Sequence, residues 1–327
     1  MGNYDITHLQ PQLIQRFQQI IAHKTLSHAY LFFGPVGSGE EQFAQWLAMR
    51  LLCPHVQKGM PCGQCRVCQQ IMAGDHPDVL TLQPQGQMIK VDDIRWLKRE
   101  ASKSGMESQY RIFIIKDADQ MNTSAANSLL KVLEEPVNNV LILLITHAKE
   151  KILPTIISRV QTVLFKPIAM QSLLTELQKQ IPLTKTKILV HLTNDIDSAE
   201  KLANDTLFDQ QIEQLWRWLQ QIANHDDIAF ITVQTQLMPL LKDKDQQQRF
   251  LALISLALQD ILLSYWQNDY EAIFTNQKKI IDKWLHNYSQ QQLLNQIDAA
   301  LLSQREFRFN VGFQNILESL TLKMLMI

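Results

Sequence analysis

A short apolar segment runs directly into a glycine-rich turn near the start of the chain, and a helical pattern follows. The apolar segment is Ala29–Phe33, and the glycines are Gly34, Gly37 and Gly39. The helical stripe after them consists of Phe43, Trp46, Leu47 and Leu51. Strand, glycine loop and helix in this order are typical of a phosphate-binding loop, because glycines let backbone N–H groups cradle phosphate. The pattern predicts a P-loop type of α/β fold.

Strand-like runs continue to alternate with amphipathic stretches up to about residue 167. The predicted strands are Ala29–Phe33, Val79–Leu82, Arg111–Ile115, Val140–Thr146 and Gln161–Phe165. Apolar strands that alternate with helices form a parallel sheet covered on both faces. The first half of the chain therefore has the pattern of an α/β domain.

Glycine and proline are distributed unevenly. Nine of the ten glycines lie in the first 105 residues, and Pro239 is the single proline after Pro182. Turns in α/β folds use glycine and proline freely, whereas helical arrays need few. We expect a loop-rich α/β domain over 1–167, two or three short helices over 168–205, and about five longer helices over 206–327.

The charge balance limits the possible functions. Lys and Arg total 31 against 32 Asp and Glu, a net charge of −1. A nucleic-acid binder that works alone normally has a basic excess, because phosphate neutralisation dominates its affinity. Any DNA contact should therefore be local or shared with partner chains. The longest purely apolar run, Val140–Ile145, is far shorter than the roughly 20 residues that span a bilayer. With no apolar signal core at the N-terminus, we expect a cytoplasmic protein without a membrane partner.

The two positions after the glycine loop differ from those of a working nucleotide site. A phosphate loop continues with Lys and then Ser or Thr, and here Gly39 is followed by Glu40 and Glu41. As first-turn residues, these carboxylates favour the helix macrodipole. They also repel a nucleotide, since like charges 4 Å apart cost about 4 kcal/mol at an effective dielectric near 20. We expect no ATP in this chain.

A second change lies at the end of the predicted strand Arg111–Ile115. Working ATPases place Asp and then Glu there, to hold magnesium and polarise water. This chain has Lys116 and Asp117 instead. A lysine cannot coordinate a cation, and Asp117 is one methylene shorter than the expected base. Two losses on two strands argue for an inactive site.

All four cysteines lie between positions 53 and 68. Cys53, Cys62, Cys65 and Cys68 have the spacing C-x8-C-x2-C-x2-C. Four thiolates at such spacings can close a tetrahedral shell around zinc. An iron–sulfur cluster is the alternative, and unligated buried thiols are a further one. Because the set leaves no open coordination position, we predict a structural zinc.

These features together resemble the delta-prime family of bacterial DNA polymerase III clamp-loader subunits, which is of the AAA+ type. The segments that carry the resemblance are His28–Phe32 before the glycine loop, Asn127–Pro136, and Pro154–Val160. The likeness is dense from about residue 6 to 167 and diffuse beyond.

The resemblance implies a stator, a subunit that lacks ATP hydrolysis and supports its ATPase siblings. It implies that Arg159, next to Ser158, reaches the γ-phosphate bound by a neighbouring subunit as an arginine finger. The domains would be an AAA+ domain over 1–167 with a zinc knuckle at 53–68, a helical lid over 168–205 and a helical collar over 206–327.

The family's partners are implied in the same way. They are ATPase subunits and a clamp-opening subunit in a heteropentamer, the sliding clamp, and primed DNA contacted through the assembly. The chain would then be part of the DNA-directed DNA polymerase holoenzyme without enzymatic activity of its own.

Two rival functions remain. An autonomous P-loop ATPase of replication or repair conflicts with Glu40 and Lys116. A zinc-dependent DNA-binding module conflicts with the net charge of −1.

Overall fold

The residues that the computed structural model describes are 6–84, 86, 88–102, 108, 110–267, 270–309 and 311–326. The chain separates into two compact units, Met1–Leu173 and Leu174–Ile327. The predicted domain boundaries, at residues 167 and 205, stay a prediction. The predicted α/β domain with a parallel sheet, followed by helices, is confirmed.

The first unit contains a five-stranded parallel sheet with the order β2-β3-β4-β1-β5. Its strands are β1 (Ala29–Phe33), β2 (Val79–Leu82), β3 (Arg111–Ile115), β4 (Val140–Thr146) and β5 (Gln161–Leu164). Strands β3 and β4 are buried almost throughout, as expected for a parallel sheet with helices on both faces. The glycine loop follows β1, which lies between β4 and β5.

Seven helices of the described residues belong to this unit, and an eighth continues into the next. They are α1 (Ile6–Leu9), α2 (Pro11–Ala22), α3 (Glu40–Leu52), α4 (Arg66–Ala73), α5 (Val91–Ala101), α6 (Thr123–Glu134), α7 (Pro154–Ile157) and α8 (Met170–Leu177). The stripe predicted after the glycine loop lies on α3, where Phe43 is buried with its ring centroid 5.5 Å from Phe32 and 5.3 Å from Phe165. This packing fixes the start of α3 against the end of β1.

The second unit is helical. Its helices are α9 (Leu183–Leu192), α10 (Ile196–Ala203), α11 (Thr206–Ala223), α12 (Ile228–Thr232), α13 (Lys244–Trp266), α14 (Lys278–Asn287), α15 (Gln290–Arg308) and α16 (Phe313–Met326). The prediction of two or three short helices before about five longer ones is confirmed in part. Helices α11, α13, α15 and α16 are longer than α8, α9 and α10, whereas α14 has 10 residues, as α9 does, and α12 has 5.

Among the described residues, α13 alone is long and apolar enough to cross a membrane. However, 56% of its apolar window is buried inside the protein. The helix also contains the buried Asp260, which accepts the N–H groups of Ile273 and Phe274 at 2.8 and 2.9 Å. These are the properties of a core helix, since a buried carboxylate is stable only when it is hydrogen-bonded.

Candidate functional site

The glycine loop is packed closely against its neighbours. A Cβ atom added to Gly34 would lie 2.5 Å from the carbonyl oxygen of Phe165. Gly39 has φ +90°, which disfavours any other residue, and a Cβ atom there would lie 2.6 Å from Ile6 Cδ1. Gly37 also has a positive φ, of 82°. The loop therefore requires glycine at positions 34 and 39 for its own packing, whether or not a phosphate binds, and the positive φ favours glycine at position 37.

The first residue of α3 turns its carboxylate inward. Glu40 is buried, and its Oε1 lies 3.8 Å from Nδ1 of His147. The same imidazole nitrogen lies 3.1 Å from the carbonyl oxygen of Gly34. A carboxylate in the first turn is favoured by the partial positive charge of the helix N-terminus. Glu40 thus places negative charge beside the loop in which a working site would hold phosphate.

The two altered motifs are joined by an ion pair. The ammonium group of Lys116, which follows β3, contacts Oε2 of Glu41 in the first turn of α3. The Lys116 backbone N–H donates to Leu82 O at 2.9 Å, which fixes this end of β3. A working site would have a hydroxyl at position 41 and a carboxylate at position 116, both directed at magnesium. Here a carboxylate and a cation neutralise each other. The sequence indicated two separate losses and gave no sign that these side chains meet.

Three further polar residues, Asp117, Asp119 and Thr146, lie at the ends of β3 and β4. Asp117 adopts the left-handed conformation, with φ 48° and ψ 49°, before a 3₁₀ turn at Ala118–Gln120. Thr146, at the end of β4, donates its hydroxyl to Asp119 at 2.7 Å and accepts the N–H of Ala148 at 3.0 Å. Asp119, rather than Asp117, is therefore the carboxylate that faces the neighbouring strand end.

Arg159 lies on the surface, just after α7, where the chain turns into β5. Its Nε donates to Glu134 Oε1 at 2.9 Å, and its Nη2 lies 2.7 Å from the same oxygen. Its Nη1 donates to the Thr155 carbonyl at 2.9 Å and to Ser158 Oγ at 3.2 Å. The structure thus brings Ser158 and Arg159 together and adds Glu134 as a partner. Sequence reasoning missed Glu134, although it stands in the Asn127–Pro136 segment.

The four cysteines come together at the end of α3 and the start of α4. Their Sγ atoms all lie within 4.8 Å of one another. Cys53 Sγ is 3.6 Å from Cys62 Sγ and 3.9 Å from Cys65 Sγ. Tetrahedral zinc with Zn–S bonds of about 2.3 Å separates its sulfurs by about 3.8 Å, so the cluster fits such an ion. The four thiols can therefore bind one metal ion.

Backbone groups are already directed at the sulfurs. The N–H of Cys65 donates to Cys62 Sγ at 3.4 Å, and the N–H of Cys68 donates to Cys65 Sγ at 3.5 Å. Hydrogen bonds from the amides of Gln64 and Cys65 lower the pKa of the Cys62 thiol to about 6. Burial raises the pKa of the Cys53 and Cys68 thiols. A metal binds the deprotonated thiolate. The turn already stabilises the thiolate of Cys62, whereas the thiolates of Cys53 and Cys68 would need the charge of a bound cation to stabilise them.

Comparison with known proteins finds relatives among the subunits of bacterial DNA polymerase III. The family profile described as "DNA polymerase III, delta subunit" matches residues 9–169. The DNA polymerase III subunit delta' of Bacillus subtilis is 35% identical over 323 residues, covering 97% of this chain and 97% of that protein. The subunit delta' of Pseudomonas aeruginosa is 39% identical over 135 residues, covering 41% of each chain. A solved DNA polymerase III gamma subunit-related protein of Thermotoga maritima has a TM-score of 0.44 at 20% identity, covering 90% of this chain and 98% of that one.

Proposed function

This chain belongs to the delta-prime family of DNA polymerase III subunits, and we propose that it is the stator of the clamp loader, a subunit that supports its neighbours without hydrolysing ATP. The relatives indicate a clamp-loader subunit of bacterial DNA replication. That this subunit acts as a stator is our proposal.

The ion pair between Lys116 and Glu41 is the observation that carries this role. Magnesium–ATP would need ligands from both positions, and it would meet a cation at one of them. Breaking the pair to admit nucleotide would leave the mostly buried Lys116 ammonium without its partner. The phosphates would also approach the buried carboxylate of Glu40. Both effects oppose ATP binding, because the charges of the loop region already neutralise each other within the chain.

Arg159 is the group through which the stator acts on a neighbour. It is partly exposed at the end of a short helix, where its guanidinium can reach beyond its own subunit. An arginine supplied in trans stabilises the charge that develops on the transferred phosphoryl group, an effect worth about 10³–10⁵ in rate. Ser158 contacts the same guanidinium and helps to orient it.

The other parts of the chain serve assembly. We assign residues 168–205 to a lid and 206–327 to a collar that joins the ATPase subunits and the clamp-opening subunit in a heteropentamer. In the cytoplasm, this assembly would open the sliding clamp and place it on primed DNA. Cys53, Cys62, Cys65 and Cys68 would hold a zinc ion that ties the end of α3 to α4. Zinc supplies no chemistry beyond this cross-link, because four thiolates leave no open position.

The test is a loader reconstituted from wild-type siblings and Arg159→Ala. Because Arg159 and Glu134 are both partly exposed, the variant should fold and assemble normally. Clamp-dependent ATP turnover at the adjacent site and loading of the clamp should fall steeply. Arg159→Lys should rescue poorly, since an ammonium lacks the planar fork that grips two phosphate oxygens.

Arg16→Ala, at an exposed arginine of α2, is the control and should have no effect. Unchanged turnover with Arg159→Ala would refute the finger. Tight, magnesium-dependent ATP binding by the purified wild-type chain would refute the stator and favour an autonomous ATPase.

A further inference from the structure

The guanidinium of Arg159 is nearly saturated within its own subunit. Arginine has five N–H donors in a rigid fork. Nε and Nη2 are directed at a single oxygen of Glu134, and Nη1 is directed at Thr155 and Ser158. A guanidinium that grips two oxygens of a phosphate needs a free edge. In this arrangement no pair of neighbouring N–H donors is free, so at least one set of contacts must open before Arg159 can grip two oxygens of a phosphate.

The ion pair between Arg159 and Glu134 can separate at little cost in free energy. The Arg159 side chain is 36% exposed and that of Glu134 is 48% exposed. When such a pair separates, water solvates both charges and little stability is lost. The pair between Arg111 and Glu100 is different, with side chains only 4% and 16% exposed, and separating it would leave buried charge without a partner. The Arg111–Glu100 pair is therefore expected to stay closed, whereas the Arg159–Glu134 pair can separate and let Arg159 take another partner.

A nucleotide phosphate is the natural competitor for Glu134. A γ-phosphate offers more negative charge and more oxygens than one carboxylate, and arginine binds phosphate through paired, charge-assisted hydrogen bonds. A neighbour without nucleotide offers no such group. The carboxylate of Glu134 therefore binds the guanidinium of Arg159 until a neighbouring subunit holds a nucleoside triphosphate. The contact between the subunits then depends on nucleotide.

We propose that Glu134 is a positioning residue that holds Arg159 in the free subunit and releases it to a nucleotide phosphate of the neighbour. This rests on the finger role proposed above. Because Arg159 can contact the phosphate only when Glu134 has released it, the neighbour's apparent nucleotide affinity falls as the released fraction of Arg159 falls. By linkage, removing the carboxylate must tighten nucleotide binding at the neighbour.

The test uses the assembled loader and a non-hydrolysable ATP analogue, titrated by fluorescence. Glu134→Gln, which keeps the shape and removes the charge, should tighten analogue binding at the adjacent site about 1.5- to 5-fold, the range expected for an exposed ion pair. Glu135→Gln, at the exposed residue that follows on the chain, is the matched control and should change nothing. In an Arg159→Ala background, Glu134→Gln should lose its effect, because the group that it releases is gone.

Four results would overturn the proposal. Weaker binding or slower turnover with Glu134→Gln would mean that the carboxylate orients the fork for catalysis. The same effect of Glu134→Gln with and without Arg159 would mean that it acts through general structure. No response to Glu134→Gln, in a loader that Arg159→Ala does impair, would remove the holding role alone. Failure of Arg159→Ala to impair the loader would instead remove the finger and the holding role together.

Discussion

Lys116→Met tests whether the ion pair with Glu41 holds the altered phosphate loop together. The methionine keeps much of the stem and removes the charge. Glu41 then stands beside Glu40 in the first turn of α3 without its cation. Since Lys116 follows β3 and Glu41 lies in the first turn of α3, the pair links the sheet to the helix that follows the loop. We expect the first unit to lose stability.

The exposure of the two side chains sets the magnitude. Lys116 is 13% exposed and Glu41 is 39% exposed. Fully exposed pairs contribute about 0.2–1 kcal/mol, whereas removing one partner of a buried pair costs about 3–5 kcal/mol. One mostly buried and one partly exposed partner place this pair between the two cases, at about 1–2 kcal/mol. In a unit of this size each kcal/mol shifts Tm by about 2–4 °C, so Tm should fall by about 2–8 °C.

The assay is urea unfolding of the full chain, followed by circular dichroism, for Lys116→Met, Glu41→Gln and the double variant. The two single changes should be non-additive by about 1 kcal/mol, because either one already removes the pair. Lys131→Met, at an exposed lysine of α6, is the control and should stay within about 0.5 kcal/mol of the wild type. A coupling energy within about 0.3 kcal/mol of zero would refute the argument, since the two residues would then act independently.

Two further changes test the metal and the loop. Elemental analysis should find one zinc per chain, and Cys65→Ser should release it and lower the thermal stability, because one of four ligands is lost; iron with visible absorbance would refute zinc. Gly34→Ala should cost about 1–3 kcal/mol in urea unfolding, since the added methyl group would lie 2.5 Å from the Phe165 carbonyl. The control Gly312→Ala finds its nearest contact at 3.6 Å and should be tolerated, whereas an equal loss in both variants would refute the packing argument.

The strands were predictable because a parallel sheet buries both of its faces. The segments Arg111–Ile115 and Val140–Thr146 are apolar except for Arg111 and Thr146, and the structure has strands with these bounds. The last strand was predicted one residue too long. The Phe165 N–H does donate to Phe33 O at 2.8 Å, but β5 ends at Leu164. The cysteine cluster could also be predicted from the sequence, because only two residues separate Cys62 from Cys65 and Cys65 from Cys68.

Partners across the sheet were not predictable. Glu41 and Lys116 are 75 residues apart, and their contact depends on how the end of β3 lies relative to α3. Glu134 and Arg159 are 25 residues apart and meet because the end of α6 lies near the end of α7. Propensity and periodicity describe one segment at a time, so they identify each charge without identifying its partner.

The contact between Lys116 and Glu41 changes the meaning of the two altered motifs. Under the proposed stator role, each taken separately would be a lost catalytic group, and each could be reversed alone. As a pair, each compensates the other: Lys116 without Glu41 would be a mostly buried cation with no partner, and Glu41 without Lys116 would add unbalanced charge beside Glu40. Putting Lys and Thr back at positions 40 and 41 would set two cations close together and remove the carboxylate that neutralises one of them. If the proposed stator role is right, restoring an ATP site would therefore require changes at all three positions at once.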